Sequence, residues 1–320
     1  MTTIGDMDED ALIALFAPRL PASDAEILGP GDDAAVLAVD GHLVVSADVL
    51  VESRHFRREW STGADVGWRA AMQNLADIDA MGAVPTALEV TLCAPASTPV
   101  DWVLGLADGL REACEPHGVG VVGGDLSGAS EIVVSVTALG ETHGTEPITR
   151  ADAAAGDVVA VSGALGAARA GYEQLARELR VDEEAVQLFL RPRPRIGAGL
   201  EGALHGATAM MDLSDGLVRD AGRLARASEL ELAIDSALVP VHPAATRTAD
   251  ALGAGPDALA WALTGGEDHH MLATFPRASA VPQGWTIVGE AHEGQARLLV
   301  DGAEPTSRGW DHFDSGTPQG

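Results

Sequence analysis

The chain has 320 residues, long enough for two domains each with its own core, and its 46% hydrophobic and 21% charged content is that of a globular protein. Forty-eight acids against twenty bases leave a net charge of −28, which disfavours nucleic acid or an anionic membrane surface as a partner. Every base is arginine, so the lysine-containing phosphate loop Gly-x-x-x-x-Gly-Lys-Ser/Thr is excluded.

No apolar run approaches the roughly 18 residues of a membrane span. The acidic start (Asp6, Asp8, Glu9, Asp10) is unlike a secretory signal, so a cytoplasmic protein is expected. Solubility or salt adaptation accounts for much of the acidity. If the chain binds a polyphosphate, metal ions must supply much of the positive charge.

Leu12, Ile13 and Phe16 give residues 8–20 helical spacing, stopped by Pro21. Gly29-Pro30-Gly31-Asp32-Asp33 then turns into a short strand. Adjacent carboxylates among small residues suit a hard cation, and a solvated turn explains them too. A strand over 43–46 runs into Ala47-Asp48, with Ser46 and Asp48 on one face by the period-two alternation.

After a polar loop carrying His55, a long helix opens at Ser61 or Thr62 and ends near Gly82 and Pro85. Val66, Ala70, Asn74, Asp77 and Met81 share one stripe, placing Asn74 and Asp77 on an otherwise apolar face. A carboxylate there is costly unless it is hydrogen-bonded, for instance by Asn74, or holds a metal.

Residues 87–93 read as a strand and 102–114 as a helix. Gly118 to Gly123 formally match G-x-G-x-x-G, but a helix precedes them where a dinucleotide fingerprint needs a strand. They read instead as a strand ending in an acidic turn at Gly123-Gly124-Asp125, followed by a strand over 132–137. The polar connector 142–156, which holds Arg150, separates an expected domain 1–145 from an expected domain 146–320.

The second half restarts with a strand over 158–162, a turn, and a helix through Leu179. That unit either offers N–H groups to an anion or simply packs. Arg191-Pro-Arg-Pro-Arg195 caps a helix pair, and a strand over 207–211 ends at Asp212-Leu-Ser214-Asp215-Gly216. These acids and the hydroxyl suit a metal or phosphate, or Ser214 or Asp215 only caps the helix over 217–227.

Strands over 231–234 and 271–275 flank Gly265-Gly266-Glu267-Asp268. His269-His270 lacks zinc-ligand spacing and reads as solvent-facing or packed. Trp310 near the C-terminus is either a staple onto the core or an aromatic lid. Cys93 and Cys114 lie in apolar patterns and read as buried free thiols rather than a disulfide.

Mg²⁺ usually keeps several waters and takes one or two carboxylates, so this many acidic motifs implies more than one cation. Phosphoryl transfer fits, because it requires positioning and charge neutralisation more than a protein nucleophile. No G-x-S-x-G motif is present to support a hydrolase triad. An acidic, non-catalytic metal-binding protein is the non-enzymatic alternative.

These motifs resemble the thiamine-monophosphate kinase family, within the superfamily of aminoimidazole ribonucleotide synthase and selenophosphate synthetase. The likeness runs from Gly29-Pro-Gly-Asp-Asp-Ala to Trp310-Asp-His-Phe. Its most specific pieces are Asp48-Val-Leu-Val-Glu-Ser-Arg-His55-Phe, Asn74-Leu-Ala-Asp77-Ile-Asp-Ala-Met-Gly82, Gly123-Gly-Asp125, Met211-Asp-Leu-Ser-Asp-Gly-Leu217 and Gly265-Gly-Glu-Asp268.

The resemblance implies a two-domain α/β (α+β) chain of the aminoimidazole ribonucleotide synthase-like fold. Its N-terminal domain would form a β-barrel with a twin in a homodimer, with ATP near the interface. It implies ATP-dependent phosphorylation of thiamine monophosphate to thiamine diphosphate, by direct in-line transfer assisted by several Mg²⁺ ions. An aminoimidazole-type synthase of the same superfamily is the alternative enzyme.

By the same resemblance, Asp32, Ser46, Ala47, Asp48, Asp77, Asp125, Asp212 and Asp215 are metal positions, with Asp77, Asp125 and Asp212 central to catalysis. Gly124, Asp125, Arg150 and Ser214 are ATP contacts. His55, Glu267 and Trp310 are substrate contacts, and Asn74 supports Asp77. The chain departs from the family pattern at Ala47, where only a backbone oxygen can serve, at Leu126, and at His269-His270, which replace Tyr-Glu.

Overall fold

The computed structural model describes residues 2–7, 9–30, 34–253 and 257–306; Asp32 and Trp310 lie outside the described residues. The described residues group into two units, one of those within 2–78 and 84–145, the other of those within 79–83 and 146–306.

The first unit contains α1 (Glu9–Phe16), a short antiparallel pair β1 (Glu26–Leu28) and β2 (Val36–Leu37), β3 (Leu43–Val51), α2 (Gly63–Asp79), β4 (Val84–Ala94), α3 (Val100–Cys114), β5 (Gly120–Gly128) and β6 (Val133–Glu141). Its four-stranded sheet has the order β3-β6-β4-β5, parallel only between β4 and β5. Burial along β6 alternates strictly: Val134, Val136 and Ala138 are buried while their neighbours are half-exposed. Strand periodicity thus gives the sheet one covered and one open face. Edge strand β3 leaves Leu43, Val45 and Val49 exposed.

Helix α2 opens with reciprocal hydrogen bonds between Thr62 and Asp65, the Asp65 carboxylate accepting from both the Thr62 N–H (2.9 Å) and hydroxyl (2.7 Å). It is not a one-sided amphipath. Val66 and Ala70 are buried as the stripe predicts, but so are Arg69 and Gln73.

The expected acidic turn at Gly123-Gly124-Asp125 is corrected. Strand β5 runs through it to Gly128, paired with β4 beyond a register shift at Leu88/Glu89. A Cβ on Gly124 would lie 1.9 Å from the Val90 carbonyl oxygen. Only glycine lets the two backbones approach this closely, so the glycines continue the strand rather than end it.

The second unit contains β7 (Val158–Val161), α4 (Ala167–Ala176), α5 (Glu183–Leu190), α6 (Ala198–Leu204), β8 (Ala209–Asp212), α7 (Leu217–Ala227), β9 (Glu231–Ile234), α8 (Pro243–Leu252), α9 (Ala258–Thr264), β10 (Met271–Phe275), β11 (Thr286–His292) and β12 (Arg297–Val300). The sheet order is β12-β9-β11-β7-β10-β8, and every neighbouring pair is antiparallel except β12 with β9.

The architecture is therefore mixed α+β rather than a parallel doubly wound sheet. Strand β10 is buried at every residue and apolar but for Thr274, whose hydroxyl accepts the Ala209 N–H (3.0 Å). Val161, Met211, Leu217, Leu224, Leu272 and Val288 form the middle of the core. Helix α4 ends at Ala176, short of the expected Leu179. Among the described residues no helix is long and apolar enough to cross a membrane.

Candidate active site: acidic residues in each unit

In the first unit, strand alternation puts Ser46 and Asp48 on one face of β3 and Ala47 on the other. The Ser46 hydroxyl donates to Asp77 Oδ2 of α2 at 2.7 Å, tying that helix to the sheet edge. Asn74 is wholly buried, and its amide donates to the Ala70 carbonyl (2.8 Å). The expected support of Asp77 by Asn74 is thus corrected: the amide folds back onto its own helix turn, and the hydroxyl of Ser46 holds Asp77.

Asp125 is exposed on β5, at the opposite edge of the sheet from β3. Three strand spacings separate those edges, about 14 Å along the sheet. A cavity of about 500 Å³, lined by Phe16, Leu20, Leu106 and Leu110 together with Gly124 and Asp125, opens beside it. His55 accepts the Val51 N–H on Nδ1 (2.9 Å), which fixes the proton of the neutral ring on Nε2. The His55 carbonyl accepts from the Arg69 guanidinium (2.6 Å).

In the second unit, two loops lock together. The Ser214 carbonyl accepts the Glu267 N–H (2.9 Å), the Leu213 carbonyl accepts the His269 N–H (2.9 Å), and the Leu213 N–H donates to the His270 carbonyl (2.8 Å). A Cβ on Gly266 would lie 2.3 Å from the Ser214 carbonyl oxygen, so that position admits only glycine without displacement. Asp268 points inward. Its carboxylate accepts the Gly166 N–H (2.6 Å) and Ala168 N–H (3.2 Å) at the start of α4. Burial pushes it up to about 6 against those two hydrogen bonds. The start of α4 is thereby occupied by the chain's own carboxylate rather than open to an anion.

Asp212, at the end of β8, is buried and lies 3.1 Å from His269 Nδ1. Asp215 is 2.6 Å from Arg223 and 3.6 Å from Arg219, and its N–H donates to the buried Asp220 (2.9 Å). Neither Ser214 nor Asp215 is the N-cap of α7; Gly216 takes that position at φ 103°. Burial, followed by the charges of Asp212 and Asp215, pushes Asp220 up to about 7. The charges of Asp212, Asp215 and Asp220 crowd together, yet among the described residues no group of three or more His, Cys, Asp or Glu side chains is arranged to hold a metal ion.

Residues 31–142 match the family described as AIR synthase related protein, N-terminal domain. The chain is 45% identical over 305 residues to the thiamine-monophosphate kinase of Mycobacterium tuberculosis, covering 94% of this chain and 90% of that one. It is 35% identical over 326 residues to the Corynebacterium glutamicum enzyme of the same name, covering 97% and 95%. The chain belongs to the thiamine-monophosphate kinase family. A solved structure of AaThiL complexed with AMPPCP and TMP resembles it with a TM-score of 0.78 and 34% identity, over 88% of this chain and 91% of that one.

Within this member of the thiamine-monophosphate kinase family, Asp212, Ser214, Asp215 and Glu267 are gathered by the paired loops, and Ser46 with Asp77 by β3 and α2. Arg150 is exposed, and its carbonyl accepts from the Ser228 hydroxyl (2.8 Å).

Sequence reasoning missed Asp220, Arg223 and the pairing of His269 with Asp212. The spacing of Asp215, Arg219 and Arg223 at i, i+4 and i+8 was a usable signal for the arginines. His269 had none, because its partner lies 57 residues away. His269 and His270 are both packed; burial drives His270 down to about 4. Cys93 and Cys114 are free thiols as expected, though only Cys114 is buried; Cys93 is half-buried.

Proposed function

We propose that this chain transfers the terminal phosphoryl group of ATP to thiamine monophosphate, giving thiamine diphosphate and ADP. The observation that carries this reading is its end-to-end likeness to thiamine-monophosphate kinases, one solved with AMPPCP and TMP. A phosphate oxygen of the acceptor attacks the γ-phosphorus in line, and the bond to the β-γ bridging oxygen breaks as ADP leaves.

Asp77, Asp125 and Asp212 are central to catalysis. With Asp32, Ser46, Asp48, Asp215 and the Ala47 carbonyl they would hold Mg²⁺, which supplies the charge neutralisation that a lysine-free chain otherwise lacks. Gly124, Arg150 and Ser214 contact the nucleotide. The cavity beside Asp125 has the size of a ligand pocket and an apolar lining suited to a nucleoside. His55 presents an Nε2 donor toward the acceptor, and Glu267 and Trp310 complete the acceptor contacts.

The working unit is a homodimer. Ser46 and Asp48 stand at one sheet edge and Asp125 at the other, too far apart within one chain to share an ion. The apolar β3 edge is exposed, and closing the sheet with a second copy buries it. Asp77→Ala and Asp125→Ala should each lower kcat by more than 100-fold, about 3 kcal/mol, with unchanged circular dichroism. Near-normal turnover in both variants would remove these residues from the mechanism. Val45→Asp should convert dimer to monomer in sedimentation velocity.

A further inference from the structure

We propose that His269 is a positioning residue that holds Asp212 and Glu267 in one fixed arrangement. Its Nδ1 faces a carboxylate oxygen, an acceptor only, and therefore donates to Asp212 at 3.1 Å. Its Nε2 stands 3.8 Å from Glu267 Oε2, beyond hydrogen-bond length. The ring is 5% exposed and Asp212 4%, so water does not compete for that contact, whereas Glu267 is 38% exposed.

The backbone around it is held in a costly conformation. Glu267 (φ 72°) and His269 (φ 52°) both lie in the left-handed region without being glycine. Between them Asp268 is pinned to the start of α4, and the His269 N–H is pinned to the Leu213 carbonyl. The imidazole is thus anchored on both sides while its two nitrogens address two different site carboxylates. One carboxylate belongs to the metal-holding set and the other to the acceptor contacts, so the ring couples the two roles. Partners of this kind, behind a ligating carboxylate, commonly change metal affinity about 10–100-fold when removed.

This inference rests on the kinase reading, and the test separates the two. Mg²⁺-dependent AMPPCP binding is measured by calorimetry, alongside kcat and KM for thiamine monophosphate, for wild type and His269→Ala, His269→Asn and His269→Gln. The Asn amide sits near the position of Nδ1 and keeps the donor to Asp212. The Gln amide sits near Nε2 and keeps the reach to Glu267.

His269→Ala should weaken Mg²⁺-dependent AMPPCP binding about 10-fold and raise KM for the acceptor. His269→Asn should restore the nucleotide affinity and leave KM raised, and His269→Gln should do the opposite. Three variants that lose both properties in parallel, or an Ala variant that loses neither, would overturn the positioning role. Should the Ala variant not fold, the Asn and Gln pair decides, because both fill the space; their parity overturns the role. A wild-type protein that makes no thiamine diphosphate would sink the kinase reading instead.

Discussion

Asp79 gives the sharpest stability prediction. Its carboxylate is wholly buried and accepts three N–H groups at the start of α6, from Gly197 (2.9 Å), Gly199 (3.0 Å) and Leu200 (3.1 Å). Orphaning a buried donor costs about 1–3 kcal/mol. Asp79→Ala, with partial relief from water entering the vacated space, should therefore cost about 3–5 kcal/mol in acid.

Burial pushes Asp79 up to about 6, against those hydrogen bonds. A folded value above the unfolded one means that the folded state holds the extra proton. The group's stabilisation is then complete below the unfolded value near 4 and is lost as pH rises through about 6. A rise of about two units corresponds to about 3 kcal/mol in total, of which about 2 kcal/mol falls between pH 4.5 and 7.5.

Urea unfolding of wild type and Asp79→Ala at those two pH values reads the effect directly. The variant's deficit should shrink by about 2 kcal/mol as pH rises. A deficit that grows with pH would show a depressed carboxyl, and one below about 1 kcal/mol at pH 4.5 would show that the three N–H groups do not depend on Asp79.

Other outcomes follow from single contacts. Gly124→Ala drives a methyl group into the Val90 carbonyl, so its urea midpoint should fall by an amount worth about 1–3 kcal/mol and AMPPCP binding should weaken with it. Ser46→Ala removes the hydroxyl that holds Asp77, and should raise the Mg²⁺ concentration needed for half-maximal rate while the melting temperature changes little. Burial pushes the Cys114 thiol up to about 12, so iodoacetamide should modify Cys93 first in the native protein and Cys114 only after unfolding.

Features set by short-range periodicity were legible. The alternation that put Ser46 and Asp48 on one face needed only the strand around them. The strand-to-helix passage through Asp212 and Gly216 was marked by an apolar run, polar residues and glycine. Features set by distant partners were not legible. Asp77 sits on its helix stripe as expected, yet its hydrogen-bond donor comes from β3 rather than from Asn74 one turn away.

Gly123 and Gly124 carried a turn signal that was overridden by pairing with β4, where the absence of side chains permits close approach. The second sheet's strand order, with β7 between β11 and β10, follows from long-range pairing that local pattern does not encode. Nothing in the local sequence marks Asp268 or Asp79 as a helix-start acceptor. Each is buried because it satisfies a helix start more than a hundred residues away.

Direct transfer from ATP to the phosphate of thiamine monophosphate can be followed with labelled nucleotide. The purified protein should be incubated with γ-labelled ATP, Mg²⁺ and thiamine monophosphate, and the products separated. Label should appear in the terminal phosphate of thiamine diphosphate, with one equivalent of ADP per product and no product when Mg²⁺ is chelated. Label appearing only as inorganic phosphate, or thiamine diphosphate absent in the complete mixture, would contradict it.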